Sequence, residues 1–419
     1  MSQQRLTKVG SSQSRLSSML NPEIAAGLSV GLIFGVPVAV YALFLGLSSI
    51  PFFQRQFLYA HKFHSLWWPG ARKKINQPQR YGFAKNQATP FLLRTPDNES
   101  LYAWHILPLT LYNQHTSTLG SRPDQGICHK DFTRTQQIDL LRNDPDAKVV
   151  VSFHGNAGHL LQSHRPRVYH TLSLNHHIFS LSYRGFGLST GYPTEAGLTT
   201  DAIALIDFLF NECHIPPHRI VLLGQSLGTA VVAAVTHHFA INHQIDFAGS
   251  VIVAGFSSLP TMLSGYSIAG FIPVLRPLSW WPWLLKVVMG RVVDRWESAA
   301  RWKQVTREVK QRKGRLRLEM VHAKNDWDIP AHEDDKVFRA AVGGVVDDKL
   351  TEGNIEEMKE DKMVGDRKEG FSVEWMEEGV VIRQELVPFG GHNDVTFYAP
   401  TFLAIMRSFE GVRNNDGTL

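Results

Sequence analysis

The sequence predicts an α/β architecture: a mainly parallel eight-stranded sheet with helices on both faces, behind one N-terminal transmembrane helix. Three observations carry this expectation. Short apolar runs alternate with helix-length segments, from FLLRT and LYAWHIL through KVVVSFHG, HIFSLSYRG, RIVLLGQS and SVIVAGF to RLRLEMVHA and VIRQELVPFGG. Strands separated by helices in this way form a parallel sheet covered on both sides. Thr199 to Cys213 places Ala202, Leu205, Ile206 and Leu209 on one face at near-helical spacing, as a crossover helix requires. The stretch from Ile24 to Ile50 contains no charged residue.

As a helix, that stretch extends about 40 Å, enough to cross a hydrocarbon core of about 30 Å with some tilt. Pro37 costs less there than in a water-exposed helix, because neighbouring groups re-satisfy the freed carbonyl. The run is too long for a cleaved signal peptide and reads as a signal anchor of a single-pass protein of the endoplasmic reticulum or another secretory-pathway membrane. Basic residues flank it almost equally, with Arg5, Lys8 and Arg15 before and Arg55, Lys62 and Arg72 to Lys74 after, so orientation stays open. Trp67 and Trp68 beside Arg72 to Lys74 read either as a headgroup anchor or as a solvated loop.

The chain divides into a tail at 1-23, the anchor at 24-50, a juxtamembrane segment at 51-89 and a body at 90-412. The body carries a hydrophobic aromatic insertion at 259-293 and an acidic one at 347-370. Tyr112 to Asp146 and the acidic insertion read as surface excursions without fixed structure. Of 419 residues 43% are hydrophobic and 19% charged, a composition that excludes a disordered chain. The net charge of +5 is too small for a protein built around nucleic acid. Two cysteines, Cys128 and Cys213, exclude a disulfide framework and a multi-cysteine zinc site.

The chemistry concentrates at strand ends. Gly224-Gln225-Ser226-Leu227-Gly228 follows an apolar strand and precedes TAVVAAV, the strand-turn-helix context of a nucleophile elbow, with small residues on either side of an exposed serine. A serine hydroxyl needs a base to take its proton and a carboxylate to orient that base. HAKNDWDIP supplies Asp326, with Asp328 as its rival, and the last strand ends in a Gly-Gly turn carrying His392. Main-chain donors for a developing oxyanion are expected from Leu227 and from Asn156 in HGNAG, where His154 serves the loop and not the chemistry.

HGNAG, SYRGFGLSTGYPTEAGLTTDA, LLGQSLGTA, HAKNDWDIP and GGHND, in that order behind an anchor, resemble the membrane-associated serine hydrolases of the α/β-hydrolase-domain family. The likeness is greatest to its monoacylglycerol and lysophosphatidylserine lipase branch, covers about residues 90 to 410, and is most specific from Tyr183 to Gly228. It implies an α/β-hydrolase fold at 90-412 with its cap at 259-293. It also implies a triad of Ser226, Asp326 and His392, an oxyanion hole of Asn156 and Leu227, no metal or other cofactor, and hydrolysis of single-chain glycerolipids. The insertion at 347-370 departs from the pattern, and GGHND fits it loosely.

The cap carries Trp280, Trp281, Trp283, Leu284 and Leu285, which suit either an acyl chain or packing on the core. Arg301 to Arg317 is a dense basic run, either a solvated helix face or a contact for anionic headgroups. The expected partners are a lipid ester and a membrane, with no nucleic acid and an open oligomeric state. An amidase or peptidase on the same triad, and a catalytically silent membrane scaffold, are the alternatives.

Overall fold

The computed structural model describes residues 35–123, 126–128, 131–268 and 272–413. It contains two compact units, Met1–Gln54 and Arg55–Leu419. In the first, the expected tail and positions 24–34 of the expected anchor lie outside the described residues. The helix Val36–Ser48 buries no side chain, and Val38 and Leu43 are largely exposed. Its 13 residues extend about 20 Å. No single helix among the described residues is long and apolar enough to cross a membrane; Val36–Ser48 and Pro51–Tyr59 pass that test only as a bent pair.

The second unit is built on a sheet of β1 (Ala88–Arg94), β2 (Ser100–Ile106), β3 (Val149–Phe153), β4 (His177–Leu181), β5 (Ile220–Gln225), β6 (Gly249–Val253), β9 (Leu316–Ala323), β10 (Val364–Asp366), β11 (Gly370–Glu377) and β12 (Val380–Val387). The strand order is β1-β2-β4-β3-β5-β6-β9-β12-β11-β10. From β4 to β12 every pairing is parallel, and the flanking pairings are antiparallel. Every residue of β3, β4, β5 and β6 is buried, as strands covered on both faces require. Alternation divides their side chains: Val149, Val151 and Leu222 enter one core, while Val150, Val221 and Leu223 enter another.

The sheet has ten strands where the sequence pattern predicts eight. Of the extra pair, β10 lies in the insertion at 347-370 expected to lack structure, and β11 follows directly after it. Glu352–Lys362 is a helix with a Thr351–Asn354 capping box, followed by β10 and then β11. Phe371, Val373 and Trp375 alternate with more exposed residues along β11, which turns into β12 through Glu378-Gly379. Residues 109–143 are likewise partly helical. The helix Gln136–Asn143 buries Ile138 and Leu141 one turn apart, and Phe132 stacks on Phe91 at 4.0 Å. The crossover helix spans Glu195–Asn211, four residues earlier at its start than its apolar spacing indicates, because Thr194 caps it by accepting from the Gly197 N–H at 2.9 Å.

Residues 259–293 contain the helices Leu259–Gly265 and Pro282–Gly290, with a short hairpin of β7 (Ser267–Ile268) and β8 (Ile272–Pro273) between them. The second helix buries no residue, and Trp280, Trp281 and Trp283 are 83%, 54% and 67% exposed. These rings do not pack on the core. The basic run lies largely in the helix Ser298–Gln311 and pairs with carboxylates, Arg301 with Glu195, Arg307 with Asp348 and Arg312 with Asp246. Cys128 and Cys213 are both buried, and no disulfide joins them.

Candidate active site

Ser226 occupies the turn between β5 and the helix Leu227–Asn242, with φ 54° and ψ −119°, a left-handed conformation that costs a non-glycine residue on the order of 1–3 kcal/mol. The flanking glycines are steric necessities. A Cβ on Gly224 would lie 2.3 Å from the Gly228 carbonyl oxygen, and one on Gly228 would lie 2.1 Å from the Phe153 oxygen. Strand, turn and helix can therefore close this tightly only without side chains at those two positions.

The HGNAG loop after β3 packs against this turn, since a Cβ on Gly155 would lie 3.3 Å from Ser226 Cβ. Arg165 shapes the loop from beneath. Its buried guanidinium donates to the carbonyls of Gly155, Asn156 and Ala157 at 3.1, 2.9 and 3.1 Å and to that of His159 at 2.5 Å. Burial pushes its pKa down to about 10. With these carbonyls drawn inward, the backbone N–H groups of Asn156 and Leu227 have no protein acceptor among the described residues. The segment from Leu58 to Phe63 braces the same loop: Ala157 N–H donates to Tyr59 O at 3.3 Å, Gly158 N–H to Phe63 O at 3.0 Å, and the Asn156 side-chain amide to Leu58 O. His154 is buried with its Nδ1 2.7 Å from Gly155 O and its ring against Tyr183, which makes it a loop residue.

Asp326 and His392 meet at the end of β9. His392 Nδ1 lies 2.7 Å from Asp326 Oδ2, while Asp326 Oδ1 accepts from the N–H groups of Asp328 and Ile329, both at 2.9 Å. Asp328 is thus part of the turn that aims Asp326 and is not the partner of His392. Gly390, at φ 129°, lets the chain swing His392 back toward the sheet edge, where Gly391 N–H donates to Asn325 Oδ1 at 2.8 Å. Gln225, next to Ser226, donates from Nε2 to the His392 carbonyl at 3.0 Å and to Asn393 Oδ1 at 3.2 Å. Ser226 and His392 therefore stand at one edge, with no hydrogen bond between Ser226 Oγ and the His392 ring.

Behind Asp326 lies a buried histidine that the sequence reading passes over. His322 Nε2 is 3.0 Å from Ile329 O and 3.3 Å from Asp326 Oδ2, and its Nδ1 is 3.2 Å from Asp334 Oδ2. The Nδ1–Asp334 contact is a close approach of charged groups and not a hydrogen bond, since neither Nδ1 nor the Asp334 oxygens have a hydrogen-bond partner among the described residues. Burial alone would lower its pKa, but Asp334 and Asp326 overcome this and hold it well above the ordinary value. Burial would raise the Asp326 pKa, and the hydrogen bonds from His322 and His392 instead hold it below the usual carboxylate range. Among the described residues no group of three or more His, Cys, Asp or Glu is placed to hold a metal ion.

An acid and a histidine joined beside a strained serine turn, on a sheet of this order, match a known group of proteins. Residues 149–404 fit the model of the Alpha/beta hydrolase family. The chain belongs to that family. It is 30% identical over 158 residues to the lysophosphatidylserine lipase ABHD12 of Xenopus tropicalis, covering 38% of this chain and 36% of that protein. It is 34% identical over 135 residues to the protein bem46 of Schizosaccharomyces pombe, covering 31% and 43%. It thus spans under half the length of either relative. The esterase Pf2001 of Pyrococcus furiosus is similar with a TM-score of 0.45 at 14% identity, over 81% of this chain and 95% of the esterase.

Proposed function

We propose that this protein is a membrane-anchored serine hydrolase that cleaves carboxylic esters of single-chain lipids, a monoacylglycerol or a lysophospholipid, through an acyl-enzyme on Ser226. The observation that carries the reading is the 2.7 Å contact of His392 Nδ1 with Asp326 Oδ2, at the edge where Gln225 ties His392 beside the serine turn. A carboxylate on Nδ1 fixes the tautomer and leaves Nε2 to accept a proton. The reaction requires the Ser226 hydroxyl to reach that nitrogen.

In this reaction His392 Nε2 takes the Ser226 proton as Oγ bonds to the ester carbonyl carbon. The carbonyl oxygen becomes an oxyanion that accepts from the Asn156 and Leu227 N–H groups, a stabilisation of about 3 kcal/mol per donor. The C–O bond to the glycerol then breaks, and the alcohol leaves with the proton from His392. Water repeats the sequence on the acyl-enzyme, releasing the fatty acid and restoring Ser226.

Lipid as the substrate class is supported by the partial similarity to the Xenopus lysophosphatidylserine lipase and by the solvent-facing tryptophans of residues 259–293. Membrane anchoring is supported by the uncharged stretch from Ile24 to Ile50. The test is fluorophosphonate labelling of the full chain together with turnover of a long-chain monoacylglycerol, a lysophospholipid and a peptide amide. Labelling of the wild type but not of Ser226→Ala, with turnover of a lipid ester, is expected. An unlabelled wild type, or turnover of the amide alone, overturns the reading, and release of the protein by alkaline carbonate overturns the anchor.

A further inference from the structure

A cleft of about 480 Å³ opens between the segment from Lys62 to Arg72 and the loop from Gly185 to Gly191. Its wall contains Lys62, His64 and Arg72 and no carboxylate. Neither Lys62 nor Arg72 makes an ion pair among the described residues, whereas Arg301, Arg307 and Arg312 each do. The nearby acid Glu99 lies outside the wall, where its Oε2 accepts from Thr190 Oγ1 at 2.5 Å. Burial first, and then the charges of Arg72 and Lys62, hold the His64 ring below its ordinary pKa. Unpaired like charges around a concave space are stabilised by an anion.

The surroundings indicate where that anion resides. Phe63, Trp67 and Trp68 are 75%, 71% and 75% exposed beside the cleft, and amphipathic rings of this kind favour the lipid headgroup layer. Phe63 O also accepts from Gly158 N–H, so the cleft abuts the loop that carries Asn156.

We propose that this cleft binds the anionic headgroup of a membrane phospholipid, with Lys62 and Arg72 on its charge and Phe63, Trp67 and Trp68 entering the interface around it. The site is separate from Ser226, and its test reads binding alone, so it can fail while the hydrolase reading stands.

The full chain in an uncharged detergent is titrated calorimetrically with dihexanoyl phosphatidylserine, dihexanoyl phosphatidylcholine and inorganic phosphate. The anionic lipid is expected to bind about tenfold more tightly than the zwitterionic one, with a preference that shrinks as salt rises. The double variant Lys62→Gln/Arg72→Gln is expected to lose the preference with an unchanged melting temperature, and Trp67→Ala to weaken both lipids alike. Should the double variant not fold, each single variant is expected to lose part of the preference. Equal binding of the two lipids to wild type, or a preference that survives in the variants, overturns the proposal. Inorganic phosphate competing as strongly as the short-chain lipid overturns the lipid as its occupant.

Discussion

His322 stands 3.3 Å from Asp326 Oδ2, the same oxygen that His392 Nδ1 meets at 2.7 Å. One carboxylate oxygen thus faces two histidines, and the His322 ring lies between it and Asp334 at 3.2 Å. Asp334, His322, Asp326 and His392 form one line of alternating acids and histidines.

His322→Gln should therefore reduce both stability and turnover. Removing one member of a buried ion pair costs on the order of 3 kcal/mol. His322 is held above its unfolded value, so its contribution is complete below about pH 6.5 and is lost as pH rises through the folded value; the variant should lack that alkaline loss. Asp326 is held below its unfolded value, so its contribution is lost as pH falls, and without His322 acid unfolding should begin at a higher pH. Urea denaturation at several pH values checks both signs, and curves parallel to wild type would remove the charge from the account.

Arg165→Met should slow labelling of Ser226 by a fluorophosphonate. Without the guanidinium, the Gly155, Asn156, Ala157 and His159 carbonyls lose their shared donor. Each unmet buried acceptor costs on the order of 1–3 kcal/mol, so the loop should turn and carry the Asn156 N–H away from the oxyanion position. A fall of about 100-fold in kcat with KM little changed is expected, roughly what one lost oxyanion donor costs. Arg165→Lys should recover only part of it, because one ammonium cannot span four carbonyls.

Gly228→Ala should destabilise the protein and abolish labelling. Its methyl would lie 2.1 Å from Phe153 O, and relief by moving the helix Leu227–Asn242 shifts both Ser226 and the Leu227 N–H. Overpacking of this kind costs about 1–3 kcal/mol. Thermal melting and probe labelling read the two effects separately.

Replacing Trp280, Trp281 and Trp283 with alanine should leave the melting temperature near that of wild type, because exposed side chains contribute within about 0.5 kcal/mol each. Hydrolysis of a long-chain ester should fall about tenfold while that of an acetyl ester holds, if these rings receive the acyl chain. Comparing the two rates on the triple variant checks this, and equal losses on both esters would assign the rings no part in chain recognition.

How much was legible in the chain follows from how local each signal is. Ser226 and its glycines are contiguous, and the steric demand they meet arises within five residues. His392 follows the final strand and could be read by position. Choosing between Asp326 and Asp328 needs the direction of two side chains in one turn, which spacing does not encode. Arg165, Gln225 and His322 have no local signature at all, since their roles come from carbonyls and carboxylates contributed by other elements. Strand β11 did carry a signal, the two-residue alternation of Phe371, Val373 and Trp375, but it adjoins an acidic helix whose charge reads as solvated chain.

The backbone oxygens of Leu58, Tyr59 and Phe63 bear on the practical question of how much of this protein must be kept to study it. Trimming to the start of the first strand at Ala88 would strip three supports from the loop beside Ser226 and remove Tyr59, Leu66, Ile75 and Phe83 from the two cores. A shortened version intended to retain its chemistry should begin no later than Arg55, whose ion pair with Asp294 at 2.8 Å fastens that stretch in place.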